Sequence, residues 1–291
     1  MDTLHLSPIV AGAWRLASWD WTPAQRLAWI EGLAERGITS FDHADIYGGY
    51  SVEDLFGEAL ALRPALRDQL QLVSKCGIQL VSPARPGNAI KHYDTGAAHV
   101  RASVEQSLRA LRTDRLDLLL IHRPDHLLDA DELSATFEQL RRDGKVLHFG
   151  VSNFTPQQFE LLHSRIALVT NQVECSLLHL DPLDDGSFDQ AQRLRCRPMI
   201  WSPLAGGRLY SEDSPAAHRV RWVLGEISAR LGCTPTTLAL AWLLRHPARP
   251  WPVIGSRRLE AADEALAATR LDLSRQDWYR LWSASTGRDV A

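Results

Sequence analysis

Residues 38–50 read ITSFDHADIYGGY. The apolar run 38–42 has the length and composition of a buried strand, and it ends on a carboxylate, Asp42. A glycine-containing loop follows and carries Tyr47. The same arrangement, an apolar run with a polar residue at its end, recurs downstream. Lys75 closes QLVSK (71–75) and His122 closes LDLLLIH (116–122). Ser152 and Asn153 end HFGVSN (148–153), and Asn171 and Gln172 end ALVTNQ (167–172).

HFGVSN continues the strand pattern 146–151, and further strand patterns occupy 7–14, 199–202 and 251–255. Amphipathic stretches separate them. Thr22 followed by Pro23 predicts a capped helix start, with Leu27, Ile30, Leu33 and Ala34 as the apolar stripe and Gly37 as the stop. Helical patterns follow at 51–62, 97–111 and 131–142, then after Thr155-Pro156, and at 220–231, 234–245 and 275–285. Alternating strands and helices imply a parallel sheet. Eight such units, without a composition break, predict an α/β protein with a single (β/α)8 TIM-barrel domain over 1–291. In a closed barrel all strand C-termini meet at one mouth, so Asp42, Tyr47, Lys75 and His122 are expected in one pocket.

Composition sets further bounds. Apolar residues make up 45% and charged residues 23%, ordinary for a globular chain whose core needs no disulfide or structural metal. A net charge of −3 argues against a nucleic-acid partner. Cys76, Cys175, Cys196 and Cys233 are isolated, as free thiols in a reducing compartment would be. The start, MDTLHLSPIVAGAW, has no signal-peptide pattern, and no run approaches a membrane span. Together these place the chain in the cytoplasm. Histidines without HxH or HExxH spacing predict no metal site.

The polar strand ends suit proton transfer to a carbonyl. A lysine ending a buried strand needs a paired charge, and Asp42 is the natural partner of Lys75. A charged lysine beside Tyr47 is expected to lower the phenol's pKa toward working pH and make it a general acid. His122 can orient the carbonyl oxygen or relay the proton.

FDHADIYGG, VSKCG, LDLLLIHRPD, GKVLHFGVSNF, TNQVECS, WSPLAGGRL and PVIGSRR resemble, in order, the signature segments of the aldo-keto reductase superfamily. DHADIYGGY, HRPDHLLDADE and the closing GRDV resemble one bacterial branch of it. The resemblance implies reduction of small-molecule aldehydes or ketones with NADPH. It makes Tyr47 the proton donor, Lys75 and Asp42 its tuners, and His122 the substrate-orienting residue. It puts Ser152, Asn153 and Gln172 on the nicotinamide carboxamide and Trp201 under the ring. Leu204, Gly206 and Arg208 fall to the pyrophosphate, and Gly255, Ser256, Arg257 and Arg258 to the phosphates of the adenosine end. Gly12 and Ser202 complete the cofactor set. Ala265 stands where many relatives carry an adenine-facing asparagine. No GxGxxG is present, so a Rossmann site is not indicated.

Trp14, Trp19, Trp21, His92 and Tyr93 are loop aromatics, of which Trp14, Trp19 and Tyr93 are expected to line the substrate pocket. A different class, an NADP(H)-binding sensor or regulatory subunit with little turnover, is the alternative. The intact Asp42, Tyr47, Lys75 and His122 set favours the enzyme.

Overall fold

A computed structural model describes residues 4–291; residues 1–3, part of the stretch read for a leader, lie outside the described residues. The chain runs β1 (Val10–Gly12), α1 (Pro23–Glu35), β2 (Ser40–Asp42), α2 (Val52–Leu60) and β3 (Gln71–Cys76). A small ribbon, β4 (Ile78–Gln79) with β5 (His92–Tyr93), precedes α3 (Ala97–Leu111) and β6 (Leu116–Ile121). Then come α4 (Ala130–Arg142), β7 (Val146–Ser152), α5 (Pro156–His163) and β8 (Asn171–Glu174). Helices α6 (Asp181–Asp184) and α7 (Ser187–Leu194) lead to β9 (Met199–Trp201). The chain ends with α8 (Arg208–Ser211), α9 (Pro215–Leu231), α10 (Pro235–Leu244), β10 (Trp251–Ile254), α11 (Leu259–Ala268) and α12 (Arg275–Thr286).

The eight-stranded barrel closes in the order β1-β10-β9-β8-β7-β6-β3-β2, every pair parallel. The predicted (β/α)8 architecture is therefore the observed one. Several local signals act as read. Thr22 and Thr155 form capping boxes with Gln25 and Gln158, each ahead of a proline in the first turn. Gly37 ends α1 with φ +83°. Differences concentrate in short elements. His92 and Tyr93 read as loop residues in the sequence, yet they form a strand that pairs Tyr93 with Ile78 and His92 with Gln79. Strand β8 is assigned from Asn171, although Val169 already donates to the Phe149 carbonyl and so begins the pairing earlier.

Side-chain alternation decides which residues reach the mouth. Val10, Val73, Leu118, Leu120, Met199 and Val253 fill the barrel interior. Phe41, Leu72, Leu119 and Ile121 pack outward, in one cluster with α1, α2 and α3. Stepping by two along an inward row takes Val73 to Lys75, Leu118 and Leu120 to His122, and Ser40 to Asp42. Each row ends in a polar residue at the same rim. On the outer side, helices approach closely where small residues permit it. A Cβ added at Gly57 of α2 would collide with the Ala110 carbonyl oxygen of α3.

Candidate active site

Lys75 is the centre of the mouth. Its fully buried Nζ donates to Asp42 Oδ2 (2.7 Å), to the His43 carbonyl (2.8 Å) and to the Tyr47 hydroxyl (3.1 Å). The other Asp42 oxygen accepts from Gln172 Nε2 at 2.8 Å. These contacts satisfy the ammonium and the carboxylate within the protein, as a buried pair requires. Burial acts to lower the Lys75 pKa, but Asp42 foremost, and then Tyr47, more than offset it, so the net shift is upward. Lys75 is thus held charged.

The Tyr47 hydroxyl departs from expectation. Burial pushes its pKa above 10.0, and Lys75 only partly opposes this. The expected fall toward neutral pH does not occur, because removing a phenolate from water outweighs one nearby cation. The chemical consequence favours proton donation: at neutral pH the phenol carries its proton.

The His122 ring stands edge-on to Tyr47, centroids 5.8 Å apart. Its Nδ1 is buried without a hydrogen-bond partner among the described residues, which leaves Nε2 as the nitrogen available to the cavity. Burial first, then Lys75, Arg123 and Lys91, hold its pKa well below the ordinary value. A neutral imidazole orients an oxygen by donating a hydrogen bond rather than by charge.

A cleft of about 960 Å³ opens above these groups. It brings together Gly12, Trp14, Asp42, Tyr47, Tyr93, His122, Ser152, Asn153, Gln172, Trp201, Ser202, Leu204, Gly206, Gly255, Ser256 and Arg258. Lys75 lies directly behind Tyr47. Trp201 Nε1 donates to Asn153 Oδ1 (3.0 Å), and Asn153 Nδ2 donates to Ser152 Oγ (2.8 Å). Gly206, Gly207, Ser202 and Ala205 all adopt positive φ in the turn after β9. No side chain caps the N-terminus of α11, whose first turn opens on the cleft through Arg258 and Ala261. A phosphate suits such uncapped N–H groups.

Three of the expected residues stand elsewhere. Trp19 packs against Trp21 and Trp29, centroids 4.8 and 5.2 Å away, because an indole gains more in that aromatic cluster than at the cleft. Arg208 turns to Glu212 (3.1 Å) and Glu174 (3.7 Å), drawn by two carboxylates. Arg257 is exposed outside the lining, whereas Arg258 belongs to it. Ala265 is fully buried and faces the core, while its neighbour Glu264 lines the cleft.

Sequence reasoning missed Arg15, Lys91 and Arg123, which also line the cleft. Arg15 bridges it, with Nη2 donating to the Gly206 carbonyl (3.0 Å) and Nη1 to that of Gly255 (3.4 Å). Arg123 directly follows His122, and this adjacency was the available signal.

The model of the aldo/keto reductase family matches residues 8–285. Oxidoreductase YdhF of Escherichia coli is 49% identical over 290 residues, covering 98% of this chain and 96% of that one. A 6-dehydroglucose reductase of Agrobacterium fabrum is 45% identical over 293 residues, covering 100% and 98%. Among solved structures, the thermostable aldo-keto reductase Tm1743, crystallised with the inhibitor epalrestat, superposes with a TM-score of 0.81 at 26% identity, covering 96% of this chain and 95% of that one.

Proposed function

The chain belongs to the aldo/keto reductase family of oxidoreductases, and on that premise we propose that it reduces an aldehyde or ketone to an alcohol with NADPH, Tyr47 donating the proton. One observation carries the reading. A proton-bearing phenol and a neutral imidazole open on one cleft, and a charged, buried lysine backs the phenol at 3.1 Å.

Members of the family use nicotinamide cofactors, and the lining fits one. Trp201 offers a flat ring, and Asn153 and Gln172 offer amides. The turn at Gly206-Gly207 and the uncapped start of α11 offer backbone N–H groups. Bound there, the reduced cofactor supplies a hydride. The chain's own residues do the rest. His122 and Tyr47 hydrogen-bond the carbonyl oxygen and polarise it. As charge grows on that oxygen, Tyr47 releases its proton to it, and Lys75 stabilises the phenolate left behind. Asp42 holds Lys75 in place and charged; Gln172 in turn holds Asp42.

Arg258 beside the α11 N-terminus supports NADPH over NADH, since a guanidinium matches the extra phosphate. We further take residues 1–291 as one barrel domain acting in the cytoplasm, a reading supported by four free cysteines. Among the described residues, no helix is long and apolar enough to cross a membrane. The test is direct: purified protein, a panel of aldehydes and ketones, and cofactor consumption measured with NADPH and with NADH. Absence of turnover across the panel, despite tight NADPH binding, would favour a sensor instead.

A further inference from the structure

The charged groups around the cleft fall into two sets. Asp42 and Lys75 neutralise one another. Arg15 spends its guanidinium on two carbonyls, and Arg258 and Glu264 belong to the end formed by α11. Arg123 and Lys91 remain. Neither makes a salt bridge or a hydrogen bond to a protein side chain among the described residues. Arg123 lies over the face of Trp201, 5.9 Å from the ring centroid. Lys91 is exposed on the segment leading into β5.

Both line the cleft together with Trp14, Ile78, Leu80 and Tyr93. Asp42 and Glu264 are the carboxylates that line it, one consumed by Lys75 and the other at the α11 end. The substrate half of the cleft thus presents two unpaired cations beside apolar walls, in a protein whose net charge is −3. A polar but neutral carbonyl compound has no use for two cations there. An anion does, because each cation attracts it directly. Arginine's planar fork fits a carboxylate in particular.

Resting on the carbonyl-reductase reading, we propose that the substrate is an oxo acid, its carbonyl at Tyr47 and His122 and its carboxylate received by Arg123 and Lys91. Both cations are close enough to the reacting end to lower the pKa of His122, and Arg123 also lowers that of Tyr47, although burial dominates each shift. The two residues are therefore specificity determinants at the same site. They do not form a second site.

The test compares 4-formylbenzoate with its methyl ester, which keeps the ring and the aldehyde and removes the charge. Wild-type kcat/KM should favour the acid by about a hundredfold, the order expected of two charge-assisted contacts at about tenfold each. The acid-to-ester ratio should fall about tenfold in Arg123→Gln or Lys91→Gln and approach one in the double variant. Added salt should lower the ratio in the wild type and leave it flat in the double variant. Calorimetry with 4-(hydroxymethyl)benzoate and its methyl ester reads the same preference without turnover. An equal or ester-favouring ratio in the wild type, or a ratio unmoved in the double variant, overturns the proposal. If neither aldehyde turns over but the benzoate still binds through Arg123 and Lys91, the anion site stands and the reductase reading falls. If both aldehydes turn over equally, the reverse holds.

Discussion

Two cation–carboxylate pairs sit at opposite ends of the barrel, and they do different things with similar chemistry. Arg67, ahead of β3, meets Asp117 at the start of β6 (2.9 Å). Its remaining donors go to Thr113 Oγ1 and to the Leu70 and Arg115 carbonyls, and Asp117 also accepts the Leu72 N–H. Every one of these bonds ends in the protein. At the mouth, Lys75 is just as well satisfied, but one of its three partners is a hydroxyl that faces the cleft. Nearby lie buried polar atoms without partners among the described residues: both His43 ring nitrogens, Asp45 Oδ1 and His122 Nδ1. The closed network fastens strand ends. The open one keeps a donor poised for a ligand, and a polar surplus of this kind costs stability that the rest of the fold must offset.

The sharpest way to break this contrast is at Tyr47. Tyr47→Phe should lower the rate of reduction by about 10²–10⁴, the range of general-acid catalysis, while thermal stability and NADPH affinity stay near wild type. Lys75→Met should be nearly as damaging, and the double variant little worse than either single, because groups acting as a unit are not additive. Additive losses in log rate would make Lys75 a purely structural partner of Asp42.

Arg67→Met probes the other end. It leaves the half-buried Asp117 without its cation and frees the acceptors of Thr113, Leu70 and Arg115, so unfolding free energy should drop by about 1–3 kcal/mol. Turnover per folded molecule should be unchanged. Urea titration together with active-site counting would separate the two, and a loss of kcat at full folding would refute the division of labour.

A smaller effect sharpens the comparison from the mouth side. Burial raises the Glu53 carboxyl from 4.5 to about 7, against hydrogen bonds from Ser74 and Ser107. Burial, then Glu53, raises Asp45 from 3.8 to about 8. The folded state binds these protons more tightly than the unfolded chain does. Their stabilisation is therefore complete below about pH 4 and is lost progressively as pH rises to about 7 for Glu53 and about 8 for Asp45. Glu53→Gln should flatten the decline in melting temperature between about pH 4.5 and 7, the interval between the unfolded and folded values of that carboxyl; His43, with its pKa lowered to about 3, contributes the same opposite slope to both proteins. An unchanged slope would mean that Glu53 is ionised in the fold.

The smallest expected effect concerns the cofactor. Arg258→Ala should weaken NADPH binding by about tenfold and barely affect NADH, with Arg257→Ala milder than Arg258→Ala. Equal losses for both cofactors would show that Arg258 only shapes the turn. Fluorescence titration at low and high salt measures this.

Much of this contrast can be read in the sequence, and the reason is geometric. Asp42, Lys75 and His122 end apolar runs, and strand alternation turns the final polar residue inward with the row it belongs to. Loop residues carry no such rule. Trp14 and Trp19 lie in the same connection, yet one lines the cleft and the other joins Trp21 and Trp29. The roles of Lys91 and Arg15 depend on where a loop folds back, which local pattern does not encode. The direction of the Tyr47 shift is hidden for a related reason: its neighbours can be read from the chain, but its depth of burial cannot. Short helices such as α7 offer too few turns for periodicity to register.

The pairing of β1 with β10, Val10 beside Val253, has a consequence for how the protein is made. The first strand waits for the last, so Gly12 and Trp14 cannot face Gly255 until nearly the whole chain has left the ribosome. Until then β1 offers one unpaired edge, an invitation to association with other nascent chains. Such a long-range closure also slows folding relative to chains built from local contacts. A truncation that ends before Trp251 should therefore lose far more than one strand: it should leave the barrel open and divide the two walls of the cleft.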